Sequence, residues 1–247
     1  MPGAYGSVEP IGNARWLPAM AAGAEQRPAW QRRPSPRPHP VFTGPRPFSV
    51  VTPRIDQGLA GLAEAGHQKC SGAVVDLTAR DDAVARLGLA GDGRERGPSL
   101  DDALDSLPAG VRLFCRPDSE HAAFLLARTI RRRNAWRTVA IAPIPDARLL
   151  WLRRVLGPAA CAPATPWEVA HLRMTGRLPL MAEGPPAYIQ APEHWFAFPV
   201  VIPGLITAAG EDGVPVLLEL AADAEPASTL LEAGAIGTVR TAPPPAA

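Results

Sequence analysis

Short apolar runs recur along the chain from residue 48 onward, and amphipathic stretches separate them. Most of these runs lack strict alternation of polar and apolar residues, which is typical of strands buried on both faces. They predict strands at Phe48–Val51, Ala73–Leu77, Val111–Cys115, Val139–Ala142, Ala160–Ala162, Phe196–Ile202, Val214–Leu220 and Gly237–Arg240. Proline or glycine bounds most of the runs, as expected at the ends of strands.

Apolar residues at helical spacing fill most of the intervals between these strands. They predict helices at Ile55–Ala63, Asp81–Leu89, Leu100–Leu107, Glu120–Arg133, Ala147–Leu156, Pro166–Met174 and Ala224–Ala233. Glu120–Arg133 has the clearest pattern, because Ser119 can cap its start and arginines gather at its end. Strands that alternate with helices form βαβ units, so we predict an α/β fold with a mostly parallel sheet and helices on both faces.

The first 46 residues differ in composition from the rest. Arg27–Pro40 alternates proline with arginine, and such a sequence forms neither a helix nor a β-ladder. We expect residues 1–46 to be a disordered leader, either a solvated tail or an arm that docks on a partner. One α/β domain is expected over residues 47–241, with a Pro/Gly-rich linker at Gly176–Pro192, and a frayed tail over residues 242–247.

The charges of the chain nearly cancel, since 25 basic against 24 acidic residues leave a formal net charge of +1. This balance provides no general attraction to nucleic acid or to an anionic membrane. The strongest local patch, Arg131–Arg133 with Trp136 and Arg137, lies at a predicted helix C-terminus, where cations complement the helix dipole without a ligand. The sequence therefore does not favour nucleic acid as a partner.

Hydropathy and cysteine usage indicate a cytoplasmic protein. The most apolar stretch, Phe196–Ile206, is too short to span a bilayer and is interrupted by two prolines. Trp16–Ala24 has no preceding basic cluster and no strongly apolar centre, so we expect no signal peptide. Cys70, Cys115 and Cys161 lie far apart beside apolar runs, which indicates buried thiols in a reducing compartment.

Motifs for common catalytic and metal chemistry do not occur in the sequence. The five histidines are scattered and form no H-x-x-x-H or H-E-x-x-H pair. Neither a G-x-S-x-G nucleophile turn nor a G-x-x-x-x-G-K-[ST] phosphate loop is found. We therefore predict no catalytic residue, no metal site and no cofactor.

Polar residues at the carboxyl ends of predicted strands are the remaining candidates for a ligand site, because α/β proteins bind ligands there. Arg116 and Asp118 follow the third predicted strand, and His121 begins the next helix. Thr207 follows the sixth predicted strand, and Arg240 ends the last one. A small-molecule anion is the ligand that the two arginines suit best.

Four short segments occur along the chain in the same order as in a known protein family. They are Ser49-Val50-Val51, Val139–Ala142, Gly157 before a short strand, and Thr165-Pro166-Trp167-Glu168. In this order residues 48–180 resemble the receiver domain of two-component response regulators, which has Lys-Pro-Phe and an acidic residue at the last position. The resemblance implies a flavodoxin-like open sheet in a bacterial regulatory protein, with residues 193–241 as an additional βαβ part.

The residues that carry receiver chemistry are replaced in this chain. The family uses an acidic pair to hold Mg²⁺, an aspartate to accept phosphate, a hydroxyl residue and a lysine. The corresponding positions here are Thr52-Pro53, Cys115 or Arg116, Ala142 or Pro143, and Thr165. A receiver-like fold in this chain is therefore not expected to form an aspartyl phosphate, and Asp118 is the only nearby acidic residue that could replace the missing acceptor.

Two functions follow from these observations. The first is a non-catalytic, receiver-like regulatory or scaffolding module that acts through a protein partner. The alternative is an enzyme or sensor on a (β/α) scaffold that binds a phosphorylated or carboxylated small molecule at the strand carboxyl ends. Strand order distinguishes them, because a receiver sheet is open whereas a (β/α) barrel closes around one pocket.

Overall fold

The computed structural model describes residues 39–42, 48–52, 58–79, 85–87, 97–195, 198–221 and 228–240. These ranges belong to a compact unit that spans residues 35–247. Its strands are β1 Phe48–Val51, β2 Gly72–Thr78, β3 Arg86–Leu87, β4 Arg112–Pro117, β5 Val139–Ile141, β6 Ile189–Pro192, β7 His194–Trp195, β8 Phe198–Pro199, β9 Val216–Leu220 and β10 Gly237–Arg240.

The helices lie between these strands along the chain. They are α1 Gly58–His67, α2 Leu100–Asp105, α3 Glu120–Arg133, α4 Asp146–Leu156, α5 Pro166–Thr175, α6 Pro203–Glu211 and α7 Ser228–Glu232. Local chemistry sets three of the starts, because Ser99, Ser119 and Thr165 each accept a backbone N–H of the first turn of the helix that follows. Ser99 and Thr165 form complete capping boxes with Asp102 and Glu168.

Seven strands pair in parallel in the order β5-β4-β2-β1-β10-β9-β6. The two edges of this sheet are joined by residues 161–163, where Cys161 bridges Ala140 within β5 and Pro163 bridges Tyr188 next to β6. Ile141 N–H donates to the Cys161 carbonyl and Ala164 N–H donates to the Tyr188 carbonyl, both at 2.8 Å. Around this ring the strands follow chain order, which is the topology of a (β/α) barrel.

The inner face of the ring is filled by alternate residues from nearly all of its strands, as the pleat requires. Val50, Val74, Phe114, Leu217 and Val239 belong to one buried cluster inside the ring. Residues of the opposite parity contribute to two clusters that include side chains of the surrounding helices. The core therefore has an inner part and an outer layer, as expected for a barrel.

Aromatic rings close the amino-terminal end of the barrel. Phe42 lies in a 3-10 turn, Pro40–Phe42, and its ring centroid is 5.5 Å from that of Phe48 and 5.2 Å from that of Tyr188. Phe114 completes the group, with centroid distances of 5.9 to 6.4 Å to the other three rings. Pro40–Phe42 lies within residues 1–46, so part of the segment predicted as a leader packs against the barrel.

The mostly parallel α/β sheet is confirmed, but the receiver-like and flavodoxin-like fold is wrong. A flavodoxin-like sheet has the order 2-1-3-4-5, with the first strand between the second and third. Here β4, the third of the predicted strands, pairs with β2, and β10 occupies the other edge of β1. Of the strands after residue 180, β6, β9 and β10 are therefore part of the same ring as the earlier strands.

One ring strand lies where the sequence predicted a linker. Of the predicted strand Phe196–Ile202, residues 198–202 are described, and they contribute no ring strand, because β8 pairs only with β7 in a separate antiparallel hairpin. The ring instead uses β6, in which Gln190 and Pro192 interrupt the apolar pattern. Part of the predicted helix Asp81–Leu89 lies outside the described residues, and Arg86–Leu87 forms β3, which pairs antiparallel with β2.

Candidate functional site at the mouth of the barrel

Four polar residues lie on the inner face of the ring, three of them near the carboxyl ends of their strands. Asp76 on β2 is paired in register with Arg116 on β4. Both lie two residues beyond the buried Val74–Phe114 pair, so all four side chains face the same, inner side of the sheet. Glu219 on β9 is paired with the inward Val239, and Gln190 on β6 is paired with the inward Leu217. We call Asp76, Arg116 and Glu219 the mouth residues; Gln190 lies deeper, in the amino-terminal half of β6.

Asp76 holds the guanidinium of Arg116 in a two-point ion pair. Arg116 Nε donates to Asp76 Oδ1 at 2.5 Å, and Arg116 Nη2 donates to Asp76 Oδ2 at 3.1 Å. The Arg116 side chain is 47% exposed and that of Asp76 is 28% exposed. The hydrogen bonding that Arg116 donates to Asp76 is the main cause that raises the pKa of Arg116, and the nearby charge of Glu219 adds to it.

This geometry leaves part of the guanidinium available to a ligand. An arginine has five N–H donors, and the pair with Asp76 uses one on Nε and one on Nη2. Because Asp76 holds two of the nitrogens, the side chain is already oriented and loses little freedom when an anion binds. Arg116 can therefore donate to a phosphate or carboxylate oxygen without leaving Asp76.

The predicted site residues after β4 lie in the short connection to α3 and in the first turn of that helix. Asp118 is exposed, and its backbone N–H donates to the Leu77 carbonyl at 3.0 Å, which connects the ends of β4 and β2. His121 is exposed in the first turn of α3. Arg148 donates to the Pro117 carbonyl at 2.6 Å and so fixes the end of β4 from the side of α4.

Thr207 and Arg240 are not brought to the inner face with Arg116. Thr207 is exposed within α6, and its hydroxyl donates to the Pro203 carbonyl at 3.1 Å. Arg240 is paired in register with Val51 and with Leu220, and Leu220 belongs to the outer core. Arg240 is therefore on the outer side of the ring, which faces the helices. The structure brings together only some of the site residues that the sequence predicted.

The arginine patch at the end of α3 is used within the fold. Arg132 donates to Asp101 at 2.5 Å, Arg133 pairs with Asp101 and Asp105, and Arg131 donates to the Val155 carbonyl. These contacts connect α3 to α2 and to α4. They account for the three arginines without nucleic acid.

The described part of the chain contains no group of three His, Cys, Asp or Glu side chains that could hold a metal ion. Its three thiols are all buried, and burial raises the pKa of Cys115 and of Cys161 far above the usual range. Over the same residues, no helix is long and apolar enough to cross a membrane.

Sequence reasoning missed Asp76, Gln190 and Glu219, although a signal was present. Asp76 and Glu219 are single carboxylates in otherwise apolar strands, Gly72–Thr78 and Val216–Leu220. A charge near the carboxyl end of a buried parallel strand is expected to face a site, because such groups are rarely buried without a partner. Gln190 carried no comparable signal, since its strand was not recognised.

No family model matches the sequence, and no curated protein matches it. Solved structures do match the fold. A glycerophosphoryl diester phosphodiesterase domain from Mycobacterium tuberculosis aligns with a TM-score of 0.57 at 9% identity, over 78% of this chain and 95% of that one. A glycerophosphodiester phosphodiesterase from Agrobacterium tumefaciens aligns with a TM-score of 0.56 at 12% identity, over 78% and 95%.

A third similar structure is described with a ligand. It is a phosphodiesterase from Oleispira antarctica in complex with the product sn-glycerol-3-phosphate, with a TM-score of 0.51 at 14% identity, over 79% of this chain and 93% of that one. At these identities the likeness shows the fold, which is the (β/α) barrel of glycerophosphodiester phosphodiesterase domains. The receiver resemblance is therefore wrong, and the non-catalytic regulatory or scaffolding module built on it is also wrong.

Proposed function

We propose that this protein binds phosphate esters of small polyols, of the glycerophosphodiester type, at the mouth of its barrel. The observation that carries this proposal is Arg116, a half-exposed guanidinium that points inward and is fixed by Asp76. Ligands of (β/α) barrels bind at this end of the strands. The fold comparison supports the same ligand class, because the Oleispira antarctica neighbour is described with sn-glycerol-3-phosphate.

The charges at the mouth favour a diester over a monoester. Asp76 and Glu219 are two carboxylates beside one guanidinium, so the three groups together carry a net negative charge. A phosphodiester has one negative charge, whereas a phosphomonoester above pH about 6 has nearly two. The dianion meets more repulsion from the carboxylates, while the hydroxyl groups of a polyol can donate to them.

Binding can be tested by calorimetry with glycerophosphocholine as the diester and sn-glycerol 3-phosphate as the monoester. We expect saturable binding of the diester that weakens about 10- to 100-fold in Arg116→Gln, as for the loss of a charge-assisted hydrogen bond. Arg137→Gln is the matched control, because Arg137 is exposed before β5, at the opposite end of the strands. Equal affinity of Arg116→Gln and wild type, or no saturable binding, would overturn the proposal.

Hydrolysis of the diester is the second candidate function, and Glu219 is the observation that favours it. A carboxylate beside the cation that holds the phosphate can accept a proton from an attacking water. Phosphorus NMR follows this directly, since hydrolysis converts the diester signal into a monoester signal. Turnover that is lost in Glu219→Gln while binding remains would establish the enzyme; binding without turnover would leave a binding protein.

A further inference from the structure

Gln190 is a polar residue inside the barrel whose side-chain oxygen has no hydrogen-bond partner among the residues that the structure describes. It lies on β6 between Tyr188, which packs at the closed end, and Pro192, which is paired in register with Glu219 at the mouth. Its neighbours Ile189 and Ala191 belong to the outer core, so the pleat directs Gln190 inward. The side chain therefore lies on the wall between the aromatic floor and the mouth.

The Oε1 atom of Gln190 is buried, and no described residue donates a hydrogen bond to it. Buried polar groups are almost always hydrogen-bonded, so an acceptor without a partner requires an explanation. A Leu, Met or Val at this position would fill the wall without that cost, as Leu217 does at the position paired in register. An unpaired acceptor that faces the ligand side of a barrel is explained if a ligand group donates to it.

We infer that Gln190 is a specificity-determining residue that accepts a hydrogen bond from a hydroxyl group of the bound phosphate ester. This inference rests on the proposed function. With the phosphate at Arg116, the carbon chain extends toward the closed end and brings a hydroxyl to Gln190. The neutral amide accepts from this hydroxyl without adding to the negative charge of Asp76 and Glu219.

The test compares two monoesters of equal charge, sn-glycerol 3-phosphate and propyl phosphate, which lacks the hydroxyls. We expect wild type to prefer the glycerol ester about tenfold, equivalent to about 1.4 kcal/mol. Gln190→Leu should bind both esters with the same affinity, because leucine has no acceptor. Gln190→Glu keeps an acceptor and should retain the preference, although both affinities fall through charge repulsion.

Two controls keep the outcomes separate. Gln68→Leu makes the same change directly after α1, where the amide donates to Glu64 on an exposed surface, and should leave the preference unchanged. Denaturant unfolding of Gln190→Leu checks that the fold persists. If Gln190→Leu keeps the preference for the glycerol ester, the inference is overturned, even if the variant is more stable than wild type. Loss of binding in Arg116→Gln would still support the proposed function in that case. If wild type binds glycerophosphocholine but shows no preference for sn-glycerol 3-phosphate over propyl phosphate, the inference alone is overturned. If it binds neither the diester nor the monoesters, both are overturned.

Discussion

Arg153 on α4 donates through Nη1 to both carboxylate oxygens of Glu168 on α5, at 2.9 and 2.8 Å. Both side chains are almost fully buried, with 3% and 0% exposure. Glu168 also accepts the backbone N–H of Thr165 at 2.7 Å, and Arg153 Nη2 donates to the Gly184 carbonyl. One buried charge pair thus connects two helices and the segment that leads into β6.

Removing one member of this pair should be strongly destabilising. Glu168→Ala leaves the Arg153 charge buried without a counter-charge and removes the capping box of α5, so we expect a loss of about 3–5 kcal/mol in the free energy of unfolding. Urea denaturation followed by circular dichroism measures it. Arg154→Gln is the control. Arg154 also lies on α4, but its side chain is exposed where it pairs with Glu183, so this change should shift the unfolding midpoint far less.

The aromatic floor makes a prediction about the boundary of the folded unit. Phe42 is only 7% exposed and contacts three rings, so Phe42→Ala should cost about 3–5 kcal/mol through lost burial and a cavity. Phe124→Ala is the matched control, because the Phe124 side chain on α3 is 51% exposed. Similar unfolding midpoints for the two variants would show that Pro40–Phe42 does not contribute to the fold.

Asp76 should set the preference of the mouth for ligand charge. Asp76→Asn removes one negative charge next to Arg116, and we expect the affinity for sn-glycerol 3-phosphate relative to the diester to rise about fivefold, for roughly 1 kcal/mol of relieved repulsion. Calorimetry at pH 7.5 measures both ligands. Asp105→Asn makes the same change on α2 and should not alter the ratio. An unchanged ratio in Asp76→Asn would contradict the electrostatic account.

The capping box of α2 should make a small contribution to acid sensitivity. Ser99 donates its hydroxyl and its backbone N–H to Asp102 Oδ2, at 2.6 and 3.0 Å, and these bonds lower the pKa of Asp102 below its ordinary value. A carboxyl whose pKa is lower in the folded state stabilises the fold above its unfolded pKa and loses that effect as the pH falls through the folded value.

The stabilisation from Asp102 should therefore be complete at pH 5 and decline below pH about 4. NMR titration of the Asp102 carboxyl measures the pKa directly. Ser99→Ala should return that pKa toward the ordinary value, because both the hydroxyl donor and the cap geometry are lost. Ser106→Ala, at the other end of α2, is the control. If Asp102 titrates at its ordinary value in wild type, the capping box does not operate in solution.

Part of the site could be predicted from local sequence and part could not. Arg116 was identified because it follows an apolar run at the carboxyl end of a strand. Its partner Asp76 is 40 residues away along the chain, and only the pairing of β2 with β4 makes them neighbours. Arg240 illustrates the opposite case, since it also ends a strand but has the outward parity that sequence position alone does not reveal.

The sequence by itself determined the alternation of strands and helices, the parallel sheet and the helix starts at Ser99, Ser119 and Thr165. These features depend on periodicity and capping within a few residues, so local composition is sufficient. Tertiary structure decided the strand order, the use of β6 and the closure through residues 161–163. These features depend on side chains that are far apart in sequence but fill one interior together, such as Phe42, Phe114 and Tyr188. No local sequence pattern indicates which strands share that interior.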